Sequence, residues 1–209
     1  MKKSIVLLIV LLGVSSSFAN IITYTGTVSS TENSFTQATS VPLFDSSLGT
    51  LDSVSISFSS TNSGTISATN NGEADTFSVD FSKFIRMYLP DSETYMYAFS
   101  DPTSSYGSPY VAGGATVEYT IDPFYGSSSV TTSDAEVIAM FTGSGNGPLT
   151  FIASYSCAYV STYGSTYTVI SDIDTSIDWT IQYNYTVPEP TTMILLGLGG
   201  LAMLRGKKA

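Results

Sequence analysis

The chain has 209 residues, a net charge of −10 and only 11% charged residues, which fits one domain with processing segments at its ends. It has no histidine and a single cysteine, Cys157, so Ser-His-Asp catalysis, Cys-His catalysis and a disulfide within the chain are excluded. Between residues 20 and 187, 16 acidic residues oppose only Lys83 and Arg86, a net charge of −14. Such a surface repels phosphate backbones, and no nucleic-acid partner is expected.

Serine (35 residues) and threonine (27) make up nearly a third of the chain, and tyrosine (14) and phenylalanine (11) are also frequent. Serine-rich disorder is one interpretation of this composition. Disordered chains, however, lack aromatic and β-branched residues, which suit the pleated surface of a sheet. The composition therefore predicts a folded β domain.

Residues 1–19 read MKKSIVLLIVLLGVSSSFA and combine the features of a secretory signal peptide. Lys2 and Lys3 form a basic start, an apolar run extends from residue 5 to residue 14, and small residues precede a cleavage site between Ala19 and Asn20. The apolar run is too short to span a membrane. We therefore expect an exported protein whose mature form begins at Asn20.

Apolar and polar residues alternate through most of residues 20–187, with the period of a half-buried strand. The apolar series that indicate strands are Ile22, Tyr24 and Val28; Val54, Ile56 and Phe58; Phe77, Val79 and Phe81; Ile85, Met87 and Leu89; Tyr95, Tyr97 and Phe99; Val117, Tyr119 and Ile121; and Leu149, Phe151, Ala153, Tyr155, Cys157 and Tyr159. A turn is predicted near residues 59–64. Loops are predicted near 100–114 and 143–148, where glycine, proline and serine are concentrated.

The last strand has the most regular pattern. Its apolar residues all occupy odd positions, namely Ile173, Ile177, Trp179, Ile181, Tyr183, Tyr185 and Val187, and polar residues occupy the even ones. One face of this strand packs and the other meets water, as in an antiparallel sheet. Since no helical pattern of similar length occurs between the two ends, residues 20–187 are predicted to form an antiparallel β-sandwich of about ten strands.

Three carboxylates share the polar face of that last strand. Asp172, Asp174 and Asp178 are spaced so that neighbouring side chains lie roughly 7 Å apart, a distance at which a Ca²⁺ ion with added loop carbonyls could be shared. The alternative is a solvated face whose charges discourage association between strand edges. Both interpretations stay open on the sequence alone, and no other cofactor is indicated.

No arrangement in the chain indicates catalysis. Cys157 falls on the apolar face of its strand and is expected to be a small buried hydrophobe, since the chain has no histidine and few basic residues that could activate its thiol. The acidic residues are scattered rather than paired as glycoside hydrolysis requires. Tyr106, Tyr110 and Tyr125 lie near glycine and proline and would suit an aromatic platform for sugars, which makes a carbohydrate-binding module, with or without Ca²⁺, the alternative function.

The C-terminal segment 188–209 has three parts. Pro188-Glu189-Pro190 disfavours helix and sheet and is expected to be extended. The 12 apolar residues 193–204 would span about 18 Å as a helix, against roughly 30 Å of membrane hydrocarbon. A basic end, Arg205, Lys207 and Lys208, would stay in the cytoplasm.

These three parts, in this order at the end of the chain, resemble the PEP-CTERM sorting signal of Gram-negative bacteria. The resemblance covers about 22 residues. It implies a precursor anchored in the inner membrane, processing by an exosortase, delivery to the cell surface or the medium, and a link to exopolysaccharide or biofilm matrix.

A second resemblance begins at Phe44. The segment Phe44-Asp45-Ser46-Ser47-Leu48-Gly49-Thr50-Leu51-Asp52-Ser53-Val54 is similar to the F-D-x-x-L-G-T-L-x-x-V pattern of the choice-of-anchor E domain. That resemblance implies a bacterial surface domain without an established enzymatic role. The sequence therefore predicts a signal peptide (1–19), a β-sandwich (20–187) and a sorting segment (188–209) in a non-enzymatic surface or matrix protein.

Overall fold

A computed structural model describes residues 18–100 and 106–187, which fold into two antiparallel sheets. The strands are β1 (Phe18–Ser30), β2 (Phe35–Pro42), β3 (Thr50–Asn70), β4 (Asp75–Tyr88), β5 (Tyr95–Ser100), β6 (Tyr106–Val111), β7 (Thr116–Thr132), β8 (Asn146–Ser161) and β9 (Tyr167–Val187). A 3-10 turn spans Ser46–Leu48, and a short helix, α1, spans Ala135–Met140. The predicted all-β antiparallel sandwich is confirmed, while the signal peptide and the C-terminal apolar segment lie outside the described residues.

Sheet one has the strand order β1, β9, β3, β7. Sheet two has the order β2, β8, β4, β5, and β6 also pairs with β4. Both β9 and β3 are 21 residues long and pair along almost their whole length. This pair forms the centre of sheet one, and β8 with β4 forms the centre of sheet two.

The space between the sheets holds two apolar clusters. The first lies around Val54, Ile85, Phe151 and Tyr183, and the second lies around Ile66, Val79, Ile121 and Ile173. Each of the long strands β3, β4 and β9 contributes to both clusters. The alternation predicted for β9 is confirmed, because its odd positions from 173 to 183 are all buried.

Three predicted interruptions are absent or shorter than expected. The expected turn at residues 59–64 is part of the continuous strand β3, which has only a bulge between Asn62 and Gly64 in its pairing with β7. An unbroken β9 beside β3 supplies hydrogen-bond partners through this polar stretch. The predicted loops at 100–114 and 143–148 are also shorter than expected, because they contain β6 and the start of β8.

The strand predicted at 95–99 is confirmed as β5, and its tyrosines lie on the exposed side. Tyr95 and Tyr97 are exposed, whereas Met96 packs against the first cluster and Ala98 is buried. The reason is register, since Met96 pairs with Met87 and Ala98 pairs with Ile85. Directly opposed residues share a face, and β4 presents its odd positions to the core.

Candidate functional site

The predicted carboxylate row lies on the outer face of sheet one. Asp172, Asp174 and Asp178 are all exposed, and Asp178 Oδ1 accepts a hydrogen bond from Thr27 Oγ1 on β1 at 2.6 Å. Within residues 18–100 and 106–187, no three acidic, cysteine or histidine side chains are grouped so as to hold a metal ion. Ca²⁺ binding at this row stays a prediction.

Cys157 faces the second cluster, on the predicted side of β8, but it is half-buried rather than fully buried. Its neighbour on the same face, Tyr155, is partly buried as well, and burial raises the pKa of the Tyr155 hydroxyl. Neither residue is placed beside a base that would activate it. The site offers packing and no evident chemistry.

The three tyrosines expected to form a loop platform do not come together as one. Tyr106 belongs to β6 and packs inward, with its ring centroid 5.9 Å from that of Phe81. Tyr125 belongs to β7, where its pairing with Thr61 places it on the outer face of sheet one. Tyr110 is exposed on β6. A sugar platform at these three residues is therefore not supported.

The predicted start of the mature chain lies beside the end of β9. Asn20, the expected first residue of the mature chain, pairs with Tyr185, two residues before the end of β9. Pro188, Glu189 and Pro190 follow β9 directly in sequence and lie outside the described residues, as do Arg205, Lys207 and Lys208. No linker separates the last residue of β9, Val187, from the three-residue motif.

The segment that resembles the choice-of-anchor E pattern forms a tight entry into β3. Phe44 is buried, and its ring centroid lies 5.1 Å from that of Tyr185. Asp45 accepts a hydrogen bond from the Ser47 backbone N–H at 2.8 Å, and this bond lowers the pKa of the Asp45 carboxyl. A Cβ on Gly49 would lie 2.2 Å from the Thr186 carbonyl oxygen, so this position requires glycine. The pattern has a structural role at the end of β9.

A buried polar layer separates the two apolar clusters. Lys83 is 0% exposed, and its Nζ donates a hydrogen bond to Thr175 Oγ1. Thr175 Oγ1 in turn donates to Asn62 Oδ1 at 3.0 Å. Sequence reasoning missed this layer, although Lys83 and Thr175 fill gaps in two otherwise apolar series, 77–89 and 173–183.

The environment of Lys83 disfavours its charged form. Burial lowers the pKa of the Lys83 ammonium from 10.5 to about 8, while the negative charge of Asp174 partly opposes that shift. The Phe35 ring centroid lies 5.7 Å from Lys83 Nζ and offers a cation–π contact. A lysine in this position carries a desolvation penalty at neutral pH.

Asp75, at the start of β4, connects the two sheets at their far end. Its carboxylate accepts hydrogen bonds from the Ser161 hydroxyl and from the backbone N–H groups of Tyr163 and Ser165. Burial raises the pKa of this carboxyl, but the hydrogen bonds lower it further, so the net pKa lies below the usual value. Because these donors belong to the β8–β9 connection, Asp75 fixes the crossing from sheet two to sheet one.

An exposed aromatic surface lies on the outer face of sheet two. We call it the aromatic face and define it by Phe84, Arg86, Tyr88, Tyr95 and Tyr97. Arg86 pairs directly with Tyr97 and Tyr88 pairs with Tyr95 across the β4–β5 ladder. The Tyr88 and Tyr95 ring centroids are 5.2 Å apart, and the Arg86 guanidinium carbon lies 5.7 Å from the Tyr95 centroid.

Sequence reasoning missed the aromatic face because the apolar series at 95–99 predicts a strand without determining which of its sides is exposed. The available signal was Arg86, which stands on the even face of β4 between Phe84 and Tyr88. Two aromatic residues on the same side as a cation indicate an outer surface with apolar character.

A cleft of about 640 Å³ opens between β5 and β7, the neighbouring edges of the two sheets. Apolar side chains such as Leu89, Met96 and Val137 line it together with backbone and hydroxyl groups. It has no charged lining residue. β5 borders both this cleft and the aromatic face, and of the two only the aromatic face includes a charged hydrogen-bond donor, Arg86.

The described residues contain no helix of the length and apolar character that a membrane span requires. Among solved structures, the Gt and Gx strains of infectious bursal disease virus match with 11% and 12% identity, covering 83% and 86% of this chain. The chain spans 43% of each of those viral chains, at TM-scores of 0.15 and 0.18, and likeness at this level carries no argument.

No curated protein matches the chain significantly. Residues 186–208 match the PEP-CTERM protein-sorting motif, beginning within the last two residues of β9. The motif indicates a protein that is exported across a membrane and sorted by an exosortase. The tail of this chain is therefore a PEP-CTERM sorting segment, attached without a linker to the β-sandwich.

Proposed function

We propose that the chain is a non-enzymatic cell-surface or extracellular-matrix protein, held in the inner membrane as a precursor and released from it by an exosortase. The observation that carries this proposal is the sorting motif that continues directly from β9. Since β9 pairs with β1 on one side and β3 on the other, removal of the tail beyond Val187 would leave every described strand in place.

We further propose that the sandwich is a choice-of-anchor E-like domain. The pattern from Phe44 to Val54 supports this assignment through its structural role. Phe44, Leu51 and Val54 are buried, and Gly49 permits the close approach to Thr186 beside the tail. The pattern packs against the end of β9, from which the chain continues toward its anchor. Such a role suits a domain that is carried on different anchoring segments.

The sorting proposal is tested by replacing Pro188-Glu189-Pro190 with three alanines. The wild-type protein should lose its tail and reach the surface or the medium, and the variant should stay full-length in the inner membrane, as measured by fractionation and intact mass. A matched control replaces Thr191 and Thr192 with alanine and should mature like the wild type. Identical maturation of all three proteins in a strain with a working exosortase would contradict the proposal.

Polysaccharide binding is the second candidate function. The specific observation in its favour is the aromatic face on sheet two, because exposed, clustered aromatic side chains mark interaction surfaces more often than isolated ones do. This surface replaces the loop tyrosines considered from the sequence. An extracellular polysaccharide is the partner that an exported matrix protein would meet.

A further inference from the structure

The aromatic face combines rings and a cation on a regular strand pair. Tyr95 and Tyr97 are 50% and 65% exposed, and Phe84 is 41% exposed. Their positions follow the ladder between β4 and β5, so their spacing is determined by backbone pairing rather than by a flexible loop. Tyrosine presents a flat apolar ring and a hydroxyl group, which suits ligands that have both C–H faces and hydroxyls.

Arg86 is the exposed cation of the described chain, since Lys83 is buried. It stacks near Tyr95 and makes no ion pair within residues 18–100 and 106–187. An arginine fork matches the geometry of a carboxylate and can bind it through two parallel hydrogen bonds. The unpaired Arg86 therefore offers one recognition point for an anionic group.

The two outer faces differ in charge, and among the described residues only sheet two offers an exposed cation. The outer face of sheet one carries exposed carboxylates, among them Asp52, Glu118, Asp172, Asp174 and Asp178. The outward strand positions of sheet two carry Asp80 and Arg86, and the turn from β4 to β5 adds Asp91 and Glu93. The net charge of −14 over residues 20–187 opposes any polyanion, but at physiological ionic strength the Debye length of about 8 Å limits that opposition to the charges close to the bound polymer.

From these observations we infer that the aromatic face binds an acidic polysaccharide, with pyranose rings stacked on Tyr95 and Tyr97 and a sugar carboxylate paired with Arg86. The inference rests on the proposed function in one respect: export must bring the protein into the compartment that contains the polysaccharide. A neutral glucan would leave Arg86 without a partner.

The experiment uses full-length protein purified in mild detergent at physiological ionic strength. Binding to immobilised polygalacturonate is compared with binding to carboxyl-reduced polygalacturonate, a polymer with the same backbone and no charge. Wild-type protein should bind the charged polymer at least 10-fold more tightly than the reduced one. Arg86→Gln should lose about 10-fold on the charged polymer alone, and Tyr97→Ala should lose about 10-fold on both.

Tyr125→Ala is the matched control, because Tyr125 is also a strand tyrosine, 68% exposed, but on the outer face of sheet one. It should bind like the wild type within about twofold, and melting curves establish that each variant is folded. Equal binding to the two polymers, absence of binding, or an equal loss in Tyr125→Ala overturns the inference. A dimer that Tyr97→Ala dissociates would assign the face to a second copy and also overturn it. None of these results bears on tail removal, which is measured separately in cells.

Discussion

The two sheets present opposite surfaces although both follow the same alternation of side chains. Along β3 and β9 the outward residues are mostly serine, threonine and aspartate, whereas on β4 and β5 they include Phe84, Arg86 and Tyr97. The inward residues of both sheets are mostly apolar, and the buried polar exceptions are the layer at Lys83, Asn70 and Asp75. The comparison shows that core packing constrains only the inward-facing residues of each strand. The outward-facing residues are free to form a solvated acidic face or a binding surface.

Three internal features lie within or between the two sheets and can be changed to test the comparison. Gly64 permits the close approach of β3 and β9 in sheet one, Asp75 holds the crossing between the sheets, and Lys83 lies between them. The carboxylate row of Asp172, Asp174 and Asp178 supplies a fourth test, with a smaller expected effect.

The largest effect is expected from Gly64→Ala. A Cβ at this position would lie 1.9 Å from the Asp172 carbonyl oxygen, so the backbone of β9 must shift. We expect the free energy of unfolding in urea to fall by about 3 kcal/mol. Gly114→Ala is the control, because nothing lies within 4 Å of its Cβ and only its φ of +77° is unfavourable; it should cost about 1 kcal/mol. Equal losses would show that sheet one does not depend on this close approach.

Asp75→Asn should lower the melting temperature at pH 7, because the neutral amide accepts fewer of the hydrogen bonds from the β8–β9 connection. The folded-state pKa of Asp75 lies below its unfolded value, so its stabilisation is complete above about pH 4 and is lost as the pH falls further. The difference between wild type and variant should therefore shrink in acid. Asp80→Asn, an exposed change on the same strand, should leave melting unchanged at every pH, and a similar loss in that variant would remove the special role of Asp75.

Lys83→Met should raise stability by about 1 kcal/mol at pH 7, because methionine avoids the cost of burying a charge. The folded pKa of Lys83, about 8, lies below its ordinary value of 10.5, so the wild-type penalty is complete below pH 8 and disappears as the pH rises through 10.5. The gain of the variant should decline over that interval in urea titrations. Arg86→Met, on the outer face of the same strand, should show no such pH dependence. A destabilised Lys83→Met would mean that the polar layer is needed for the packing of the two clusters.

The smallest effect concerns the acidic face. Millimolar Ca²⁺ should change the melting temperature of the wild type by less than about 1 °C, because no three acidic side chains within residues 18–100 and 106–187 are grouped so as to hold a metal ion and Asp178 already accepts a hydrogen bond from Thr27. Asp174→Asn should behave in the same way. A clear rise in the wild type that Asp174→Asn abolishes would identify a cation site and would give sheet one a binding function of its own.

The sorting segment and the aromatic face differ in how far the sequence predicted them. The sorting segment was identified from its residues because a tripartite tail is linear and needs no folding to be recognised. The aromatic face was not, since the apolar series at 95–99 is compatible with either parity. Only pairing with β4 decides that Met96 and Ala98 face the core.

The sequence by itself determined the all-β class, the alternation of β9 and the sorting motif that follows it, because each depends on local composition and period. The tertiary structure decided which parity of β5 is exposed, that Lys83 is buried beside Thr175, and that residues 59–64 continue a strand rather than turn. These outcomes depend on contacts between segments far apart in the chain, such as β3 with β9 and β4 with β5. A local pattern contains no information about the partner strand, and the partner strand sets register, burial and face.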